Sequence, residues 1–155
     1  MGLFVLVSAC GAEPAKLGAT KVKPFDASIV PGELLGLTVT AEEIGGAKEV
    51  KDPFVEGVGL YSLRSGELLQ GTLQVSRFSK DADSEKSRFR RAVVQQIGST
   101  IPKAYRMGRR TVYLTAGKRQ SIAVWFEGRY FFVLSTRDEF DQPRALLREA
   151  LEIKP

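Results

Sequence analysis

The sequence predicts an α+β fold in which one antiparallel sheet, built from a hairpin and a three-stranded meander, carries two helices packed on one face. Three observations predict this fold. Two segments of alternating polarity flank a glycine-containing turn, one segment has apolar residues at four-residue spacing, and three apolar segments follow with short connections. The 43% hydrophobic and 26% charged residues of the 155-residue chain are typical of a globular protein.

The hairpin is predicted over residues 58–63 and 68–78, which flank the turn sequence Arg64-Ser65-Gly66-Glu67. In the second strand two sets of side chains alternate, an apolar set with a glycine (Leu69, Gly71, Leu73, Val75) and a polar set (Gln70, Thr72, Gln74, Ser76). Because successive strand residues point to opposite faces, we expect one face to be buried and the other to be wetter. A turn of helix running into a short strand, residues 37–40, is predicted before the hairpin.

The first helix is predicted after the hairpin, beginning at Asp83 or Ser84, either of which can cap it. Phe89, Val93 and Ile97 recur at four-residue spacing and form a buried stripe. Gly98 ends the helix and Pro102 prevents its continuation.

The meander is predicted over residues 111–115, 120–127 and 130–135, joined by hairpin-sized connections. The second helix opens at Asp141-Gln142-Pro143, since proline is favoured in a first helical turn. Its apolar face comprises Leu146, Leu147, Ala150 and Leu151. The simplest packing places both helices on the apolar face of the sheet.

The beginning of the chain carries the clearest motif. Val7-Ser8-Ala9-Cys10 closes a short apolar run that starts at Leu3, and Cys10 is the only cysteine. This stretch resembles the lipobox of bacterial lipoproteins. The resemblance implies cleavage before Cys10, a diacylglyceryl group on its sulfur, usual acylation of the new amino terminus, and a place on the extracytoplasmic face of the cell membrane. The alternative is a buried first strand that ends in an incidental cysteine.

This motif predicts a division of the chain into three parts. Residues 1–9 are a signal peptide, which we expect to be N-terminally truncated because the apolar run is short and Met1-Gly2 lacks Lys or Arg. Residues 10–24 are the lipid-anchored cysteine and a flexible tether, small in composition and punctuated by proline. Residues 25–155 are a single α+β domain.

The order hairpin, helix, meander, helix, with Val124-Trp125-Phe126-Glu127-Gly128 before an aromatic strand, resembles the small PsbP-like lipoprotein domains of actinobacterial envelopes. The resemblance covers about residues 58–151 and contains no catalytic motif. It implies the fold, and it implies a binding or accessory role instead of an enzymatic one.

The sequence lacks the residues that several kinds of catalytic, nucleotide-binding and metal sites require. The chain has no histidine, which excludes Ser-His-Asp and Cys-His catalysis and histidine metal sites. It has neither a P-loop nor a Gly-x-Gly-x-x-Gly motif after a strand. Two acidic groups, one at Asp81 and Asp83 and one at Asp138, Glu139 and Asp141, are typical of polar loops and helix starts. The alternative is a metal or catalytic site, for which neither group is a complete motif. We therefore predict a protein that is not an enzyme and that needs neither a metal nor a cofactor.

The charge is distributed unevenly. Residues 1–75 carry −3, whereas residues 76–155 carry +8, for a net charge of +5. We predict contacts with an anionic surface from basic residues of the first helix, of the segment before the meander and of its turns: Lys86, Arg90, Arg91, Arg109, Arg110, Lys118, Arg119 and Arg129. The partner would be anionic lipid, a cell-wall polymer or an envelope protein. The alternative is an ordinary solvated surface.

These observations favour a non-enzymatic, lipid-anchored envelope protein that acts as a binding or accessory module near the membrane. One alternative is a carrier of a lipid or other apolar ligand held between sheet and helix, lined by Trp125, Phe126 and Phe132. Another is a basic nucleic-acid-binding domain, if residues 1–10 are not a signal, with Trp125, Arg129 and Tyr130 on a sheet surface. The absence of a ribonucleoprotein motif disfavours nucleic acid as the partner.

Overall fold

The computed structural model describes residues 20–21, 23–24, 29–42, 49–50, 55–78, 103–116 and 120–155. The predicted signal peptide, Cys10, most of the predicted tether and the whole of the predicted first helix lie outside the described residues. The structure therefore bears on the hairpin, the meander, the last helix and their neighbours.

Eleven strands and one helix form the described part of the chain. They are β1 (Thr20–Lys21), β2 (Lys23–Pro24), β3 (Glu33–Leu34), β4 (Leu37–Glu42), β5 (Glu49–Val50), β6 (Val55–Ser65), β7 (Leu68–Phe78), β8 (Lys103–Met107), β9 (Arg110–Ala116), β10 (Gln120–Glu127), β11 (Tyr130–Arg137) and α1 (Pro143–Ala150).

The main sheet has the strand order β3-β4-β6-β7-β11-β10-β9-β8, and every neighbouring pair along this path is antiparallel. Lys23–Pro24 at the end of the predicted tether pairs in parallel with β6, and β1 pairs with β5 in a separate two-stranded sheet. The predicted hairpin is confirmed as β6–β7, and the predicted meander is confirmed as β9–β10–β11.

The predicted fold class is wrong. The described residues form mainly one large antiparallel sheet with a single short helix, not an α+β domain with two helices on one face. The error has a physical reason, because two-residue turns add a strand at each edge, where the prediction had a helical turn at one edge and no strand at the other. Leu35 and Gly36 have φ of 50° and 73°, the geometry of a type I′ turn, and they join β3 to β4.

The main core lies between one face of the sheet and α1. Trp125 and Phe132 stack with their ring centroids 5.0 Å apart, and both are almost completely buried. Leu146, Leu147, Ala150 and Leu151 are buried against them, so the predicted apolar face of the last helix is confirmed. The helix also begins at the predicted proline, Pro143.

The opposite face of the sheet is buried at its centre as well. Gln74 and Ser76, which were predicted to lie on a wetter face, are 6% and 5% exposed. The prediction is wrong here because their cross-strand neighbours on β11 are the apolar Val133 and Phe131, which are also buried. Gln74 Nε2 donates a 3.5 Å hydrogen bond to Ser76 Oγ, which gives the buried amide a partner.

Candidate anion-binding site beside an edge strand

Strand β8 is the outermost strand on one side of the main sheet. Among the strands that the structure describes it pairs with β9 alone, through a tight hairpin whose turn residues are Gly108 and Arg109. Gly108 has φ of 62°, as the first position of a type II′ turn requires, and glycine adopts this φ without a steric penalty. Residues 103–106 are exposed, and Tyr105 keeps 46% of its surface in solvent. A large aromatic side chain is therefore presented at a sheet edge.

Two open recesses lie between α1 and the strands nearest this edge. The first, which we call the turn recess, has a volume of about 910 Å³ and is lined by the β8–β9 turn, the β10–β11 turn and the end of α1. The second, the helix-start recess, has a volume of about 470 Å³ and is lined by β8, β9, β10, β11 and the beginning of α1. Its apolar floor comprises Leu114, Ala123, Leu134 and Leu147.

Cations surround the two recesses and the adjoining edge. Arg109 and Arg148 line the turn recess, and Lys103 and Arg144 line the helix-start recess. Arg106 lies on the same edge strand, β8, with its side chain on the opposite face of the sheet. All five side chains are exposed, and within the described ranges none forms an ion pair or a side-chain hydrogen bond. We call these five residues the edge cations.

The acids near the recesses do not neutralise this set. Glu127 lines the turn recess but is already paired with Arg110. Glu152 also lines the turn recess and is exposed. Glu149 accepts a 2.8 Å hydrogen bond from the backbone N–H of Leu35 in the β3–β4 turn. The local balance is therefore positive, and it suits an anionic group.

The eight predicted contact residues fall into four groups, of which Arg129 is the last. Arg109 lines the turn recess, and its exposed side chain has no ion pair or hydrogen bond with any other described residue, as an anion contact requires. Arg110 lines the same recess, but it pairs with Glu127 and donates to the carbonyl oxygen of Leu151. Lys86, Arg90, Arg91, Lys118 and Arg119 lie outside the described residues.

Arg129 lies away from the edge cations and has structural partners. Its Nε donates to the carbonyl oxygen of Phe78 at 2.8 Å, and its guanidinium pairs with Glu56 at 2.9 Å. Arg77 approaches the same carboxylate at 3.4 Å. Arg129 thereby fastens the β10–β11 turn to the ends of β6 and β7.

The sequence reasoning missed four of the five edge cations as contact residues: Lys103, Arg106, Arg144 and Arg148. Arg144 and Arg148 are separated by four residues on the predicted last helix, so they lie on one helix face. That spacing was a usable signal. Lys103 had none, because its proximity to Arg144 depends on the packing of α1 against β8.

The aromatic residues of the two alternative hypotheses do not form one site. Trp125 and Phe132 belong to the core at 1% and 0% exposure, so neither ring lines an open space or offers a surface for base stacking. Phe126 is partly buried and lines the turn recess. Apolar lining is found instead in the helix-start recess, at residues that were not predicted.

The described residues contain no group of three or more acidic, cysteine or histidine side chains placed to hold a metal ion. None of the helices in those ranges is long and apolar enough to cross a membrane. What the arrangement does offer is recognition of negative charge next to an exposed aromatic ring and an apolar floor.

Comparison of the chain with protein-family models, with curated proteins and with solved structures finds no match.

Proposed function

We propose that this protein is a non-enzymatic, lipid-anchored accessory protein of the bacterial envelope, and that it binds an anionic partner through the edge cations. The observation that carries the binding role is the set of five exposed cations without an ion partner in the part of the chain that the structure describes, four of which line the two recesses and one of which, Arg106, lies on the adjoining edge strand. Long-range attraction between such a set and an anionic partner speeds their encounter and fixes their orientation.

The proposed location rests on Val7-Ser8-Ala9-Cys10. A diacylglyceryl group on Cys10 supplies two acyl chains, which anchor a protein stably, whereas one chain gives marginal binding at about 0.8 kcal/mol per buried methylene. The tether holds the edge cations close to the membrane surface, within reach of membrane-associated partners. The predicted PsbP-like similarity supports the same accessory role and remains a proposal.

The location is tested by mass spectrometry of the amino terminus after expression from the native upstream region, comparing the wild type with Cys10→Ala. We expect a mature wild-type chain that begins at Cys10 and carries a diacylglyceryl mass, recovered with membranes. We expect Cys10→Ala to lack this mass and to leave the membrane fraction. An intact, unmodified Met1 in the cytosol would contradict the location and would favour the nucleic-acid alternative.

A further inference from the structure

The two outer edges of the main sheet differ in a way that bears on partner binding. The edge at β3 is two residues long, and its turn is held against α1 by the hydrogen bond from Leu35 to Glu149. The edge at β8 is five residues long, and residues 103–106 are exposed. An exposed strand edge presents unpaired backbone N–H and C=O groups, which form a template for another strand.

The register of β8 against β9 identifies the groups that face outward. Met107 and Arg110 flank the two-residue turn and therefore form a hydrogen-bonded pair, as do Tyr105 and Val112 two residues further on. The intervening residues of β8 direct their backbone groups away from β9. Ala104 and Arg106 thus offer two outward N–H donors and two outward C=O acceptors to an added strand.

The side chains at this edge indicate what kind of strand would pair. Lys103 and Tyr105 lie on the face that carries α1, because their partners Leu114 and Val112 lie on that face, and Arg106 lies on the other. Arg144 lines the helix-start recess together with Lys103 and Tyr105. A strand added to β8 would therefore meet positive charge on both faces, with Tyr105 at its middle.

We infer that β8 binds an extended, acidic segment of a partner polypeptide by strand addition, with acidic side chains next to the edge cations and an apolar side chain next to Tyr105. The inference rests on the proposed function and names the partner of the same site. Main-chain hydrogen bonds supply affinity in this mode, and alternate side chains supply specificity. A second copy of this chain fits less well, because antiparallel pairing of two β8 strands would bring two sets of edge cations together.

The test uses the full chain with Cys10→Ala and an acidic octapeptide, Glu-Glu-Glu-Val-Glu-Glu-Glu-Glu, with affinity measured by fluorescence anisotropy. Its single Val can lie next to Tyr105 while glutamates on both faces meet the edge cations. Ala104→Pro removes one outward N–H donor without removing a bond to β9, and proline is tolerated on edge strands. We expect Ala104→Pro to weaken peptide binding about tenfold or more. The matched control Ala104→Val keeps the N–H, so it should bind like the parent.

A second measurement does not depend on the folding of the variant. Amide hydrogen exchange of the parent chain should show that Ala104 and Arg106 become protected when the peptide binds. Tyr105, whose N–H already bonds to β9, should be protected with and without peptide. Unchanged exchange at Ala104 and Arg106 on saturation with peptide would overturn strand addition.

The outcomes separate the two proposals. Equal peptide affinity for Ala104→Pro and the parent, with competition by vesicles of anionic phospholipid, would refute strand addition and keep the anion-binding function. Failure of the parent to bind either the peptide or the vesicles would refute the anion-binding function itself. Concentration-dependent dimerisation that Ala104→Pro abolishes would show that the edge pairs with a second copy, which would overturn the choice of partner.

Discussion

Individual residues show how charge is divided between structure and binding in this protein. Arg110 and Arg129 each combine an ion pair with a hydrogen bond to a backbone carbonyl, so their guanidinium groups are committed to holding elements together. Arg109 and Arg148 have no such partners in the described part of the chain, although both line the turn recess with Arg110. Neighbouring arginines in the sequence thus have different roles.

Gly71 is a residue whose replacement has a calculable steric consequence. A Cβ atom at this position would overlap the backbone carbonyl oxygen of Ser135 on the neighbouring strand β11. Because a backbone atom cannot rotate away, we expect Gly71→Ala to lower the free energy of unfolding by about 1–3 kcal/mol. The measurement is urea denaturation followed by tryptophan fluorescence, since Trp125 is buried in the main core.

Gly32→Ala is the matched control for this prediction. A Cβ atom at Gly32 meets no atom within 4 Å, and its φ is not in the left-handed region. We expect its free energy of unfolding to stay within about 0.5 kcal/mol of the parent value. Equal stability of the two variants would show that β7 and β11 separate at Gly71 more easily than their register implies.

At the scale of the element, α1 is the one described helix on the core face, and it is eight residues long. An isolated helix of this length is not stable in water, so α1 depends on its packing against the sheet. Leu146 lies at the centre of that packing at 0% exposure. The helix also positions two of the edge cations, Arg144 and Arg148, so its docking matters for the site.

Leu146→Ala should therefore destabilise the protein strongly. Loss of the buried side chain and the cavity left behind predict a decrease of about 2–5 kcal/mol in the free energy of unfolding. Arg148→Ala on the exposed side of the same helix should change it by less than about 0.5 kcal/mol. Thermal and urea unfolding of both variants check this pair, and a small effect of Leu146→Ala would contradict the packing of α1 described here.

The elements also show what the sequence could predict and what it could not. The strands of the hairpin and meander were predictable because their turns, Gly66-Glu67 and Gly128-Arg129, put a glycine first between alternating segments. Gly108-Arg109 has the same form, so β8 could have been predicted too. Leu35 could not, because a leucine at positive φ contradicts local preference and depends on tertiary contacts, including its hydrogen bond to Glu149.

For the whole molecule, the candidate site depends on strand order, which local patterns do not encode. The sheet places β8 at one edge, and the chain then returns through β9, β10 and β11 before α1 crosses back over the core face. Lys103 and Arg144, 41 positions apart in the sequence, therefore line one recess. The sequence predicted a basic surface and one of its five edge cations, Arg109, but the grouping of the five follows from topology.

The separation of binding arginines from structural arginines gives the last prediction. The double variant Arg109→Ala with Arg148→Ala removes two exposed cations that have no ion pair within the described ranges, so it should fold with unchanged stability. It should bind the acidic octapeptide at least tenfold more weakly at low salt. Its binding should also depend less on salt concentration than that of the parent, because fewer charges contribute.

Arg129→Ala should have the opposite effects on stability and on peptide binding. It removes the hydrogen bond to the Phe78 carbonyl and the ion pair with Glu56, so we expect a loss of about 1 kcal/mol in the free energy of unfolding with unchanged peptide affinity. Urea denaturation and anisotropy on the same preparations measure both quantities, each chain carrying Cys10→Ala. If Arg129→Ala weakened binding as much as the double variant, the anionic partner would be held by the basic surface as a whole, and the assignment of the site to the edge beside β8 would be wrong.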